Sequence, residues 1–333
     1  MSATTGRPPT GGAGARADGP DSRADGGTRA RPGAGATAGA GAPAGDSDVV
    51  PWRRLLADAV ARLREAGVDD PVQEARWLVE RATGSSPAEL AVRLDEPATV
   101  RGATHLHGML ERRLAGEPLQ YALERWAFRS LDLYVDRRVL VPRPETEVLA
   151  EVALDESRRL SARRAVDLGT GSGALALALA VERPGLEVWG TDASPGALAV
   201  ARANLAGLGR AATRVRLVAG DWFDALPPEL AGRIEVIVSN PPYVSEAEMA
   251  DLPAEVRDWE PRGALCSGPT GLEDIERVVV DAPRWLSRPG SLLVELAPHQ
   301  AAAARRLARA AGFATATVWP DLAGRDRILL ARL

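Results

Sequence analysis

The chain has 333 residues, 45% of them hydrophobic, and its 41 basic against 45 acidic residues leave a net charge of −4. That balance argues against a general nucleic-acid coat, which needs a phosphate-neutralising excess of positive charge. A single Cys266, three histidines (His105, His107 and His299) and no run of 18 apolar residues exclude an internal disulfide, a Cys/His zinc cluster and a membrane-spanning helix, so a cytoplasmic protein is expected.

Residues 1–48 contain no Val, Leu, Ile, Phe, Trp, Tyr or Cys but hold twelve of the 33 glycines. Such a stretch cannot bury enough apolar surface to offset the entropy of ordering, and a disordered tail is expected over 1–48. From Pro51 the pattern turns helical. Trp52, Leu55, Leu56, Ala59, Val60 and Leu63 recur at helical spacing and Gly67 marks the stop. A second helix opens with Pro71 and closes at Gly84; SPAELAVRL and the stretch from Val100 to Leu114 supply two more. Residues 49–117 therefore read as a small helical domain. His105 and His107, two apart on one helix, point in different directions and read as surface residues rather than metal ligands.

Over 118–141, Trp126, Phe128, Leu131, Leu133 and Val135 mostly alternate, which predicts a β-hairpin linking two domains. Residues 142–333 form the second domain. From Ala165 strands alternate with helices: AVDLG, EVWGTD, RVRLVAGD, IEVIVSN, SLLVELA, ATATVWP and RDRILLARL are the strands, with helices over ALALALAVE, PGALAVARANLAGLG and HQAAAARRLARAAG. Strands alternating with helices predict an α/β fold with a mostly parallel, doubly wound sheet.

The first strand runs into Asp167-Leu168-Gly169-Thr170-Gly171-Ser172-Gly173 and then directly into a helix. Glycines there allow a sharp turn and close approach to a ligand at the positive end of the helix dipole. Gly169-x-Gly171-x-x-Ala174 also satisfies the looser dinucleotide fingerprint, so a nicotinamide cofactor and a bare strand-to-helix turn remain open on the glycines alone. Asp192 ends the second strand, where a carboxylate can hold both hydroxyls of a ribose. Asp167, just ahead of the glycines, suits an S-adenosyl-L-methionine site, orienting loop amides or receiving an amino group. Asp221 and Trp222 end the third strand, offering a polar edge and an aromatic face to an adenine; Trp222 also reads as plain core.

The fourth strand stops at Asn240-Pro241-Pro242-Tyr243. Two prolines after a buried strand force the chain out of the sheet with a stiff backbone, at the carboxyl edge where open α/β sheets bind ligands. An amide or ring-amine nitrogen is a poor nucleophile because its lone pair is delocalised. The Asn240 side-chain oxygen and the Pro241 carbonyl can grip its two N–H groups and stabilise the positive charge that develops on nitrogen. Tyr243 offers a flat wall for a planar amide or base. This chemistry calls for no metal.

The chain resembles the class I S-adenosylmethionine-dependent methyltransferases of the Asn/Asp-Pro-Pro-Tyr group. GEPLQYALERWAF, VLVPRPETE, DLGTGSG, GDWF, SNPPYV, WEPRGAL and GLEDIERVV follow in the order seen in the HemK/PrmC family of peptide chain release factor glutamine methyltransferases, over roughly residues 50 to 333. Pro142-Arg143-Pro144-Glu145-Thr146-Glu147 discriminates best, since related ribosomal-protein glutamine methyltransferases carry another sequence after the Pro-Arg. The resemblance implies a seven-stranded, Rossmann-like sheet with its last strand antiparallel. It implies S-adenosyl-L-methionine at Gly169 to Gly173, Asp192, Trp222 and Asn240, and methyl transfer to the side-chain nitrogen of the Gly-Gly-Gln glutamine of release factors, held by Asn240, Pro241, Pro242 and Tyr243. A helical domain that binds the release factor, and a monomeric protein without direct nucleic-acid binding, are also expected. The alternatives are an adenine-N6 DNA or RNA methyltransferase and a ribosomal-protein glutamine methyltransferase. Two departures from the family pattern are Glu295-Leu296-Ala297 in place of Glu-Ile-Gly, and Glu124-Arg125 where a Gly is more usual.

Overall fold

Five helices open the computed structural model, which describes residues 50–333; the expected tail over 1–48 lies outside the described residues. These are α1 (Trp52–Glu65), α2 (Pro71–Thr83), α3 (Pro87–Arg93), α4 (Val100–Leu114) and α5 (Leu119–Leu123). Their ends follow from local chemistry. Asp70 accepts from the Gln73 N–H, Pro71 takes the first helical position, and Gly84 closes α2 in the left-handed region. Ser86 and Glu89 form a reciprocal capping box on α3, the kind of cap worth about 1 kcal/mol. Trp52, Leu63, Leu78, Leu90, Leu106, Met109 and Leu110 meet in one apolar cluster.

The segment 118–141 departs from expectation in its first residues, which form α5 rather than a strand. Leu119 and Leu123, one helical turn apart, face the helical cluster, whereas Tyr121 packs into a second apolar cluster. That division of one short helix between two cores is a three- to four-residue periodicity too brief to stand out in sequence. The hairpin follows as β1 (Trp126–Phe128) and β2 (Leu131–Leu133), paired antiparallel. Glu124 sits in the left-handed region at φ 53°, which explains why a glycine suits this position better.

Next come α6 (Pro144–Arg159), β3 (Arg164–Leu168), α7 (Ala174–Glu182), β4 (Glu187–Asp192), α8 (Pro195–Ala206), β5 (Val215–Ala219) and β6 (Ile234–Ser239). The chain closes with the single turn α9 (Ala254–Arg257), α10 (Glu273–Trp285), β7 (Leu286–Glu295), α11 (Ala301–Ala310), β8 (Thr315–Pro320) and β9 (Asp326–Arg332). The sheet order is β5-β4-β3-β6-β7-β9-β8. All neighbours pair in parallel except β9, antiparallel to both β7 and β8, so the last strand of the chain is the reversed one. One apolar layer covers each face, with α6 and α7 on one side and α10 and α11 on the other. Every residue of α7 from Ala174 to Ala180 is buried, which is why this helix reads apolar all round. The sheet starts in its middle at β3, grows outward to β4 and β5, then returns to β6 on the other side of β3. The reversal opens a crevice between the carboxyl ends of β3 and β6.

Candidate active site

Leu168 at the end of β3 lies opposite Ser239 at the end of β6, and the Ser239 hydroxyl donates to the Leu168 carbonyl at 2.8 Å. The glycine loop and the Asn-Pro-Pro-Tyr segment thus leave the sheet from adjacent points. Gly169 and Gly171 have φ of +71° and +56°, a region that strains any side chain. A Cβ on Gly169 would also lie 3.4 Å from the Trp222 ring. Above the loop is a cavity of about 580 Å³, a size suited to a nucleoside-bearing molecule. Asp167, Gly169, Thr170, Gly171, Ser172, Asp192, Asp221, Trp222, Asn240 and Pro242 all contribute to its wall.

Gly173 and Pro241 stand outside that wall. Gly173 turns the chain into α7 at φ +87°, and a Cβ there would come within 3.0 Å of Leu177. Pro241 is buried. Tyr243 belongs to a second, mostly apolar cavity of about 260 Å³, together with Leu140, Arg143, Val256 and Leu265. Asn240 lines both cavities. His105 and His107 are exposed on α4, far in sequence and chemistry from this crevice.

Two carboxylates shape the larger cavity. Asp167 Oδ2 accepts from the Thr170 hydroxyl at 2.6 Å and from the Ala176 N–H at 3.1 Å, bracing the loop against the first turn of α7. Its Oδ1 is buried and without a partner among the described residues. Burial pushes the Asp167 carboxyl up to about 7, against the two hydrogen bonds that favour its charged form. Asp192 accepts from the Gly171 N–H at 2.9 Å and from the Ser194 N–H at 2.8 Å, one bond to each oxygen. Burial raises its pKa as well. Each of its oxygens keeps a further lone pair for a hydroxyl. Asp221 is exposed and its carboxylate is taken by Arg277. Trp222 packs against the core and also lines the larger cavity.

Sequence reasoning missed the residues that hold the Asn-Pro-Pro-Tyr segment in place. The Asn240 Nδ2 group donates to Thr146 Oγ1 at 3.2 Å, and the Thr146 hydroxyl donates to Glu295 Oε2 at 2.7 Å. The Tyr243 hydroxyl lies 3.5 Å from Glu295 Oε1. Burial pushes the Glu295 carboxyl up to about 7; Thr146, Tyr243 and Arg327 favour the charged form, and Glu145 opposes it. Gln300 donates to the Tyr243 carbonyl and to the Gly271 carbonyl, at 2.9 Å each, fixing the tetrapeptide's exit. Gly271 admits nothing larger, because a Cβ would fall 2.5 Å from the Tyr243 carbonyl oxygen. Thr146 lay within the discriminating PRPETE stretch and Glu295 at the end of a predicted strand. Periodicity alone does not bring them together, because they are 149 residues apart.

The pattern that defines the PrmC N-terminal domain matches residues 54–123, and that of the methyltransferase small domain matches residues 144–255. A release factor glutamine methyltransferase of Cereibacter sphaeroides is 42% identical over 278 residues, covering 84% of this chain and 97% of that protein. The protein of the same name from Moorella thermoacetica is 42% identical over 281 residues, covering 84% and 97%. That of Rhodopirellula baltica is 38% identical over 290 residues, covering 85% and 97%.

Proposed function

The chain belongs to the release factor glutamine methyltransferase family, and from that premise we propose that it methylates the side-chain nitrogen of the glutamine in the Gly-Gly-Gln loop of peptide chain release factors. The observation that carries this reading is the place of Asn240, the one residue of the Asn-Pro-Pro-Tyr segment that lines both cavities. Its larger cavity fits S-adenosyl-L-methionine. Asp192 is placed to hold the ribose hydroxyls and the Trp222 ring to cover the adenine. The orphaned, buried Asp167 Oδ1 awaits a donor such as the cationic amino group. The smaller, apolar cavity suits the stem of a glutamine side chain against Tyr243.

Bound S-adenosyl-L-methionine supplies a methyl group already activated by its sulfonium. The protein's part is orientation. Asn240 Oδ1, which takes no hydrogen bond from the described residues, and the Pro241 carbonyl accept the two N–H groups of the glutamine amide. Holding both turns the nitrogen lone pair toward the cofactor cavity and stabilises the positive charge that builds on nitrogen. Methyl transfer to that nitrogen would leave it with one N–H proton too many, which would pass to water. A strong general base is unnecessary, which fits a site whose polar groups next to Asn240 are Thr146 and a buried carboxyl. Positioning within about 3 to 3.5 Å contributes much of the barrier reduction.

Among the described residues no helix is long and apolar enough to cross a membrane. On this reading the protein acts in the cytoplasm on a protein partner, and a monomer without direct nucleic-acid binding is part of the same proposal. Incubating it with labelled cofactor and purified release factor, ribosomal protein, DNA or ribosomal RNA tests the reading. Label is expected in the release factor, and label in nucleic acid alone would overturn it.

A further inference from the structure

Asn240 is useful only in one of its two orientations. An asparagine amide can flip with little change of shape, exchanging an acceptor for a donor pair. Flipped, Asn240 would present NH₂ to the N–H of the substrate amide, donor against donor, and the grip on the nitrogen would be lost. Strand β6, which ends just before Asn240, does not settle the choice.

The settling contacts come from two other elements. Thr146 lies in the first turn of α6 and Glu295 at the last position of β7; they are 4% and 1% exposed. An ionised carboxylate only accepts hydrogen bonds, so the Thr146 proton is committed to Glu295 Oε2. The threonine oxygen then has only lone pairs for Asn240, and these select the Nδ2 group. The Asn240 Oδ1 is thereby turned away from Thr146. Tyr243, at the far end of the tetrapeptide, leans on the other oxygen of the same carboxylate.

We infer that Thr146 and Glu295 are positioning residues, a directional hydrogen-bond relay that sets which face of the Asn240 amide meets the substrate nitrogen. The inference rests on the reading of Asn240 as the acceptor for that nitrogen. With Glu295 ionised the relay has a single polarity. Reversal would leave a lone pair facing a lone pair in a buried site, where an unmade hydrogen bond is costly.

The test compares wild-type protein, Thr146→Val and Thr146→Ser at pH 8. Valine keeps the shape and removes the hydroxyl; serine restores it. Because Asn204 and Asn240 are the only asparagines, side-chain ¹⁵N-asparagine labelling gives two NH₂ signals in the whole protein. Asn204 is held independently by the carbonyls of Tyr134 and Ser172. In Thr146→Val the Asn240 signal should shift or broaden while that of Asn204 stays. The kcat should fall by about ten- to a hundredfold, the loss expected for a displaced transition-state contact, and by more than the cofactor Kd rises, although Thr146 also lines the larger cavity. Thr146→Ser should return signal and kcat to near wild type. Glu295→Ala, which frees the Thr146 proton, gives a second route to the same outcome should the valine variant not fold.

An unmoved Asn240 signal with wild-type kcat in Thr146→Val would overturn the relay. So would equal losses in the valine and serine variants, which would mark a packing role. The amide signals are read without a methyl acceptor, so they decide the relay independently of substrate identity. Failure of the functional reading would instead show as no label on the release factor with wild-type protein.

Discussion

On the proposed reading Asn240 and Asp192 divide the work of the site between transfer and cofactor binding, and substitution should separate the two. Asn240→Ala removes one acceptor for the reacting amide. Turnover is expected to fall by about a hundredfold or more, as when one transition-state hydrogen-bonding group is lost, with cofactor affinity largely kept in a calorimetric titration. Asp192→Ala does the reverse, freeing the Gly171 and Ser194 amides and weakening cofactor binding by about tenfold or more, the worth of a charge-assisted hydrogen bond. Asp167 adds a pH dependence. Its carboxyl is raised to about 7, and the ionised form is the one that receives a cationic amino group. Affinity should therefore drop by up to about tenfold per unit as pH falls below 7, and Asp167→Asn should flatten the curve. Asn240, Asp167 and Asp192 stand out in the sequence because each lies within one residue of a strand's end, close to a Gly or Pro signal. Thr146 and Glu295 do not, since nothing in either's local sequence names the other as partner.

At the scale of elements, the strands and helices from α7 to β6 follow directly from alternation and turn residues, and the two glycine-marked helix stops at Gly67 and Gly84 do as well. α6 and α10 carry clear helical signals, with acidic first turns and apolar residues such as Ile275, Val278, Val279 and Ala282 at helical spacing. In α6 the prolines of PRPETE stand before and at the helix start, so its periodic stretch begins only after them. α5 is harder, because its five residues serve two cores. Two positions at positive φ, Gly271 and Glu124, carry opposite predictions. Gly271→Ala forces a Cβ onto the Tyr243 carbonyl at a φ of +76°, and should lower both kcat and thermal stability, read by turnover and by calorimetry. Glu124→Gly relieves a left-handed residue and should stabilise the protein by up to about 1 kcal/mol, less a few tenths for the exposed Arg112 pair it gives up.

Across the whole molecule, long-range ion pairs join parts of the chain that the sheet alone leaves separate. Arg113 bridges Glu74 of the helical region and Glu255 near the tetrapeptide. Glu156 on α6 accepts from Arg159, Ser291 and Arg332, tying that helix to β7 and to the last strand. Although burial raises it, these partners hold the Glu156 carboxyl down at about 2. A depressed carboxylate stabilises above its unfolded pKa and loses that contribution as pH falls toward the folded value. Glu156→Gln should thus lower the Tm at pH 7 and reduce the loss of stability between about pH 4.5 and 2. The acidic net charge also fits a protein loop better than a phosphate backbone as the macromolecular partner.

Peptide mass spectrometry of a release factor, incubated with this protein and S-adenosyl-L-methionine, tests the central claim most directly. The account predicts one added methyl group, located by fragmentation on the side chain of the Gly-Gly-Gln glutamine and missing with Asn240→Ala. An unmodified glutamine after incubation with active wild-type protein, or a methyl group mapped to another residue, would contradict it.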